Sequence, residues 1–168
     1  MKNRIIYLMI ALCSLSIAVK AQDYSGLKDI ELKDKSDYPK NEDKVLECSK
    51  FILTQSVETK DPNCMYCMAF IIRWMSGTPD YSFGVDDAVG KLIKSNQLLM
   101  GVYMACMNIY VLNNKDKASD ANAVKLNSVS MFLDYCSNPA IKVKPDGELK
   151  KAIKAKNDNK LKEYLKIN

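Results

Sequence analysis

The stretch that decides the fold is Asp61-Pro62-Asn63-Cys64-Met65-Tyr66-Cys67-Met68-Ala69-Phe70-Ile71-Ile72-Arg73-Trp74-Met75-Ser76-Gly77, "DPNCMYCMAFIIRWMSG". It contains a C-x-x-C, which in an α/β redox fold follows a β-strand. Here no alternating β-branched run precedes Asp61. Asp followed by Pro is instead the signature of an N-cap and a first helical turn. The fourteen or so residues after Pro62 are apolar on nearly every side apart from Arg73, so the spacing predicts a helix over 62–76 in the centre of the domain. Gly77 ends it, and Thr78-Pro79-Asp80-Tyr81 reads as a turn.

Working outward, the same periodicity recurs. Val45, Cys48 and Ile52 share one face of a predicted helix over 41–55. A short helix is expected over 86–94, and 98–112 is a second core helix with Asn108 as its one strongly polar member. Ser119 or Asp120 can cap a helix reaching Tyr135 or Cys136, which Asn138-Pro139 stops. Asp146 then opens a final amphipathic pair, with Leu149, Ala152 and Ile153 in one member and Leu161, Tyr164 and Leu165 in the other. The expected architecture is all-α: six or seven helices in an irregular bundle or stacked helical hairpins, forming a single domain over residues 38–168. Residues 22–37 read as a polar lead-in segment.

The first 21 residues read as a cleavable signal peptide. Lys2 and Arg4 precede an apolar run from Ile5 to Val19, and Val19-Lys20-Ala21 supplies a cleavage site. Export to the periplasm or beyond is the expected localisation, with no transmembrane segment in the mature chain. Losing Lys2, Arg4 and Lys20 leaves 22 basic against 20 acidic residues. That near-neutral balance gives no support to a nucleic-acid partner. The lysines of 142–168 are diluted by Asp146, Glu148, Asp158 and Glu163 and read as a solvated helix face.

The chain has no histidine. Ser-His and Cys-His catalysis, His-based zinc sites and C-x-x-C-H haem attachment are thereby excluded. The glycines are scattered singly, so no phosphate-binding loop exists. No cofactor is expected. Two places remain for chemistry. Cys64, Cys67 and Met68 lie at i, i+3 and i+4 on one helix face. Cys64 falls in the first turn, where the helix dipole favours a thiolate. With the stripe Met100, Met104 and Met107, these sulfurs could serve thiol redox or Cu(I) binding. The competing reading is that Cys and Met fill core gaps. The second place is Arg73, Trp74, Asp80, Tyr81 and Phe83, which gathers the mature chain's one Arg and one Trp beside two further aromatics. Such residues are enriched at binding hot spots. Alternatively, Trp74 anchors the core and Arg73 pairs with Asp80 or another acid to hold the turn.

The segments "KAQ", "DYSGLKDIELKDKSDYPKNEDKVLECSKFIL", "WMSGTPDYSF" and "FLDYCSNP" before a Lys-rich tail resemble a family of small exported proteins of the Bacteroidota with no established activity. The resemblance spans the mature chain and implies an exported helical protein, and it transfers no functional residue. The resulting expectation is a non-catalytic binding module whose partner is a protein or peptide of the cell envelope.

Overall fold

The computed structural model describes residues 22–94 and 96–167, so the expected signal peptide over 1–21 lies outside the described residues. Secondary structure among the described residues is entirely helical, with no strand. The α-helices are α1 (Asp37–Lys40), α2 (Glu42–Thr54), α3 (Pro62–Gly77), α4 (Asp87–Ile93), α5 (Leu99–Asn113), α6 (Ala121–Ser137), α7 (Gly147–Asn157) and α8 (Leu161–Tyr164). Short 3-10 turns occupy Ser25–Asp29, Lys115–Lys117 and Pro139–Ile141.

Aspartates start four of these helices for one reason. The first backbone N–H groups of a helix have no internal partner, and an Asp at the N-cap accepts from them. Asp61 accepts from Asn63 N at 2.9 Å with Pro62 in the first turn. Asp86 caps α4 through Val89 N at 3.0 Å. Asp120 accepts from both Asn122 N and Ala123 N, and Asp146 from Leu149 N at 2.9 Å. Left-handed residues finish the last two helices. Asn159 (φ 57°) and Lys166 (φ 54°) let Lys160 N reach Ala155 O and Ile167 N reach Lys162 O, the paired bonds of Schellman ends.

The helices pack as consecutive hairpins around α5. α2 lies against both α3 and α5, and α5 lies against α6; α7 then rests on α4 and α6, with α8 beside it. α5 buries Leu99, Val102, Tyr103, Cys106, Met107, Tyr110 and Val111, which point to several sides, so this helix has no solvent face over most of its length. Trp74, Phe70 and Ile71 of α3, Ile52 of α2 and Phe132 and Leu133 of α6 complete the core. Each such side chain contributes about 1.5–3 kcal/mol when fully buried. Tyr103 and Phe132 meet edge to face with centroids 6.1 Å apart.

Residues 22–32 are more than a polar lead-in. Tyr24 and Leu27 are buried in the core, and the segment lies as a strap across α2 and α3. Three ties hold it. Tyr24 N donates to Asn63 Oδ1 at 3.0 Å, Tyr24 OH donates to Glu47 Oε1 at 3.2 Å, and the Arg73 guanidinium donates to Leu27 O at 2.7 Å and Ile30 O at 3.2 Å. The domain therefore begins at the strap rather than at residue 38.

Candidate functional site

The loop expected to carry a contact surface is folded inward. Trp74 is fully buried, and its indole N–H donates to Tyr38 O at 2.9 Å. The half-buried rings of Tyr81 and Phe83 cover it, with centroids 5.6 and 6.2 Å from the indole. Tyr81 OH donates to Glu42 Oε1 at 2.9 Å. Burial, followed by that bond to the carboxylate, pushes Tyr81 up to about 12. Arg73 spends its guanidinium on the strap carbonyls, as described, and Asp80 lies exposed at the turn with its N–H on Thr78 Oγ1 at 3.4 Å. Of Arg73, Trp74, Asp80, Tyr81 and Phe83, the three aromatics come together as a core-closing cluster. The other two lie apart from it. An indole, a large apolar body with one donor, gains most when buried with its donor satisfied, and Tyr38 O offers that here.

The sulfur helix is also inward. Cys64 and Cys67 are both buried. The dipole advantage of Cys64 in the first turn is overturned: burial raises its thiol, and the adjacent Asp61 carboxylate adds to the effect. Cys67 is raised further, first by its hydrogen bond to the Cys48 thiol and then by burial. A thiolate is the form that attacks a disulfide or binds a soft metal, so both effects oppose the chemistry in the folded state. Met68 turns away from the two cysteines, half-buried, onto Gly101 of α5. Met107 is buried while Met100 and Met104 are half-buried. Among the described residues no three Cys, Asp or Glu side chains converge as a metal site.

What the residue types did not single out is the outer face of α3. Met65 is 71% exposed and Ile72 43% exposed. They stand at i and i+7, with half-buried Met68 at i+3 and exposed Ala69 at i+4, and half-buried Met75 extends the stripe by a further turn. Gly101 borders this stripe from α5, and Met68 fits there because no side chain stands in its way; a Cβ at 101 would come 3.0 Å from Met68 Sδ. The sequence carried no signal for this face, since a helix apolar all round is expected to be buried.

Part of the charged surface is paired. Lys125 Nζ bonds Asp86 Oδ2 at 2.6 Å and Leu165 O at 2.8 Å. Burial pushes Asp86 up, but the bonds from Lys125 and Val89 N outweigh it and its carboxyl lies below the usual range. These groups line a 630 Å³ groove with Lys91, Glu148 and Tyr164, where both signs of charge alternate. Lys156 pairs with Asp134 and donates to Ser130 O at 2.8 Å, and Lys151 bonds Glu148 at 2.7 Å. Of the lysines over 142–168, Lys151, Lys154 and Lys156 have carboxylate partners.

No helix among the described residues is long and apolar enough to cross a membrane. No protein family matches the chain, and neither a curated protein nor a solved structure matches it.

Proposed function

We propose that this chain is an exported, non-catalytic interaction module that docks an apolar helix from a protein partner of the cell envelope. The contact surface in this reading is the outer face of α3 rather than the Trp74–Phe83 loop. The observation that carries it is the exposed apolar stripe of Met65 and Ile72, extended by Met68 and Met75. Leaving such side chains in water forfeits burial worth about 0.8 kcal/mol per methylene. Methionine adds a further property. Its unbranched thioether repacks around differently shaped partners, which suits an apolar surface that receives a helix at i, i+3, i+4 and i+7. The export element of the proposal rests on residues 1–21 and is checked by sequencing the mature N-terminus, expected after Ala21.

The test is selection of displayed peptides against the purified mature chain. Selected binders should show an amphipathic helical pattern. The double substitution Met65→Glu and Ile72→Glu should weaken them at least about tenfold while leaving the helical circular dichroism intact. Binders that ignore the double variant would place the contact surface elsewhere and end this reading.

A further inference from the structure

The chain over 81–85 has no regular structure, and it is extended where it meets α4, at Asp86 (ψ 177°). Tyr81 and Phe83 turn onto the Trp74 indole, and the alternate residues Ser82 and Gly84 border a hollow of about 300 Å³ instead. A Cβ at Gly84 would meet nothing within 4 Å, and the neighbouring Val85 is 43% exposed. Among the described residues, no hydrogen bond reaches the main chain of Ser82, Phe83, Gly84 or Val85. A row of free N–H and C=O groups of this kind is what a bare strand edge offers an incoming chain.

The hollow reaches past this segment into the core. Val89 of α4 and Val124 of α6 are buried and give it apolar walls. Tyr103 of α5 lines it from inside: the residue is 1% exposed, and its hydroxyl has no hydrogen-bond partner among the described residues. A buried hydroxyl is destabilising until something completes it. Burial and then the Asp86 carboxylate raise this phenol, so it stays a donor. The two charged groups at the hollow, Asp86 and Lys125, bond each other at 2.6 Å. Their charges cancel, which suits an uncharged occupant. With about 30 Å³ for each water in the liquid, the hollow has room for roughly ten non-hydrogen atoms.

We propose that this hollow binds an uncharged, extended peptide segment. The segment pairs its main chain with that of residues 82–85 and sets one aliphatic side chain against Val89 and Val124. One of its carbonyls accepts from the Tyr103 hydroxyl. Main-chain pairing supplies the affinity and the hollow selects the side chain, the division of labour found wherever a chain adds to a strand edge. None of the lining residues lies in α3, so the site is separate from the docking surface proposed above.

The experiment titrates the isotope-labelled mature chain with N-acetyl-valine amide, a probe of the size the hollow takes, and follows the backbone amide resonances. Saturable shifts are expected over 82–89, at Tyr103 and over 121–125, with a Kd of about millimolar, the range open to so small a ligand. The fully N-methylated probe keeps both carbonyls and the isopropyl group but cannot donate, and it binds at least about fivefold more weakly. Tyr103→Phe removes only a hydroxyl without a partner, so it folds and weakens the probe about fivefold. Ala121→Trp, at an exposed position on the hollow, abolishes binding and decides the matter even if Tyr103→Phe fails to fold. Shifts centred elsewhere, or none up to the solubility of the probe, overturn the proposal. So does equal binding of the N-methylated probe, or full affinity in either variant.

Discussion

The indole of Trp74, in the last turn of α3, donates its N–H to the main-chain carbonyl of Tyr38 in α1 at 2.9 Å. This bond joins α3 to the single helical turn of α1, which is also tied through Tyr38 OH to Leu32 O. Trp74→Phe removes the donor and part of the ring, leaving a small cavity and a Tyr38 carbonyl that keeps only the Asn41 N–H. A loss of about 2–4 kcal/mol is expected by urea denaturation with helical content retained. A change under about 0.5 kcal/mol would show that α1 is not anchored through this residue.

Gly77 and Gly101 look alike in sequence and should respond differently. A Cβ at 77 would lie 2.0 Å from Tyr38 Oη and 2.7 Å from its Cζ, against a ring whose position is fixed by the same α1 turn. At 101 the neighbour is the flexible end of Met68, 3.0 Å away. Gly77→Ala is therefore expected to cost about 1–3 kcal/mol through overpacking. Gly101→Ala should fall within about 1 kcal/mol of wild type, since the gain in helix propensity offsets a shift of Met68. Parallel thermal melts decide between them.

Alkaline pH should unfold the chain early. Burial pushes the Cys136 thiol up to about 12 and raises Cys106 as well, against an ordinary value of 9.0. Between those values the unfolded chain gives up the thiol protons while the folded chain keeps them. Stability is therefore fully present below pH 9 and declines as pH rises toward 12. Tyr81, also raised to about 12, adds to the decline above pH 10. Denaturant midpoints measured from pH 8 upward should fall, and Cys136→Ala should flatten the fall between pH 9 and 10.

Two lysines of similar sequence context should differ sharply. Lys125 holds Asp86 and the Leu165 carbonyl with its side chain mostly covered, whereas Lys154 pairs with Asp158 in the open. Lys125→Met is expected to cost about 1–3 kcal/mol, because a carboxylate and a carbonyl lose a charge-assisted partner. Lys154→Met should change stability by less than about 0.5 kcal/mol. Equal effects would mean that Lys125 is not what ties α4 to the C-terminal end.

The helix boundaries were legible because they rest on local chemistry. Asp61 with Pro62, Asp120 and Asp146 each sit where the structure has a cap, and α2, α3, α4, α5 and α6 fall within a residue or two of the spans their periodicity indicated. The strap was not legible. Tyr24 and Leu27 are separated by polar residues in a 3-10 turn, and burial there depends on Arg73, which lies 46 residues beyond Leu27. Trp74 and Arg73 left two readings open for a related reason, since the features that suit these residues to hot spots also suit them to anchoring a core. The methionine face stayed hidden because a helix apolar on all sides carries no mark of which side its neighbours leave open.

The strap also sets an order of events. A chain emerges N-terminus first, so Tyr24 and Leu27 are available long before Arg73, Asn63 and the two helices they need. The earliest residues of the fold therefore settle only once α3 is present, waiting as a loose tail while α2 and α3 form a hairpin. During that interval the seam between them is roofless. The arrival of Tyr24 then covers it for as long as the protein stays folded.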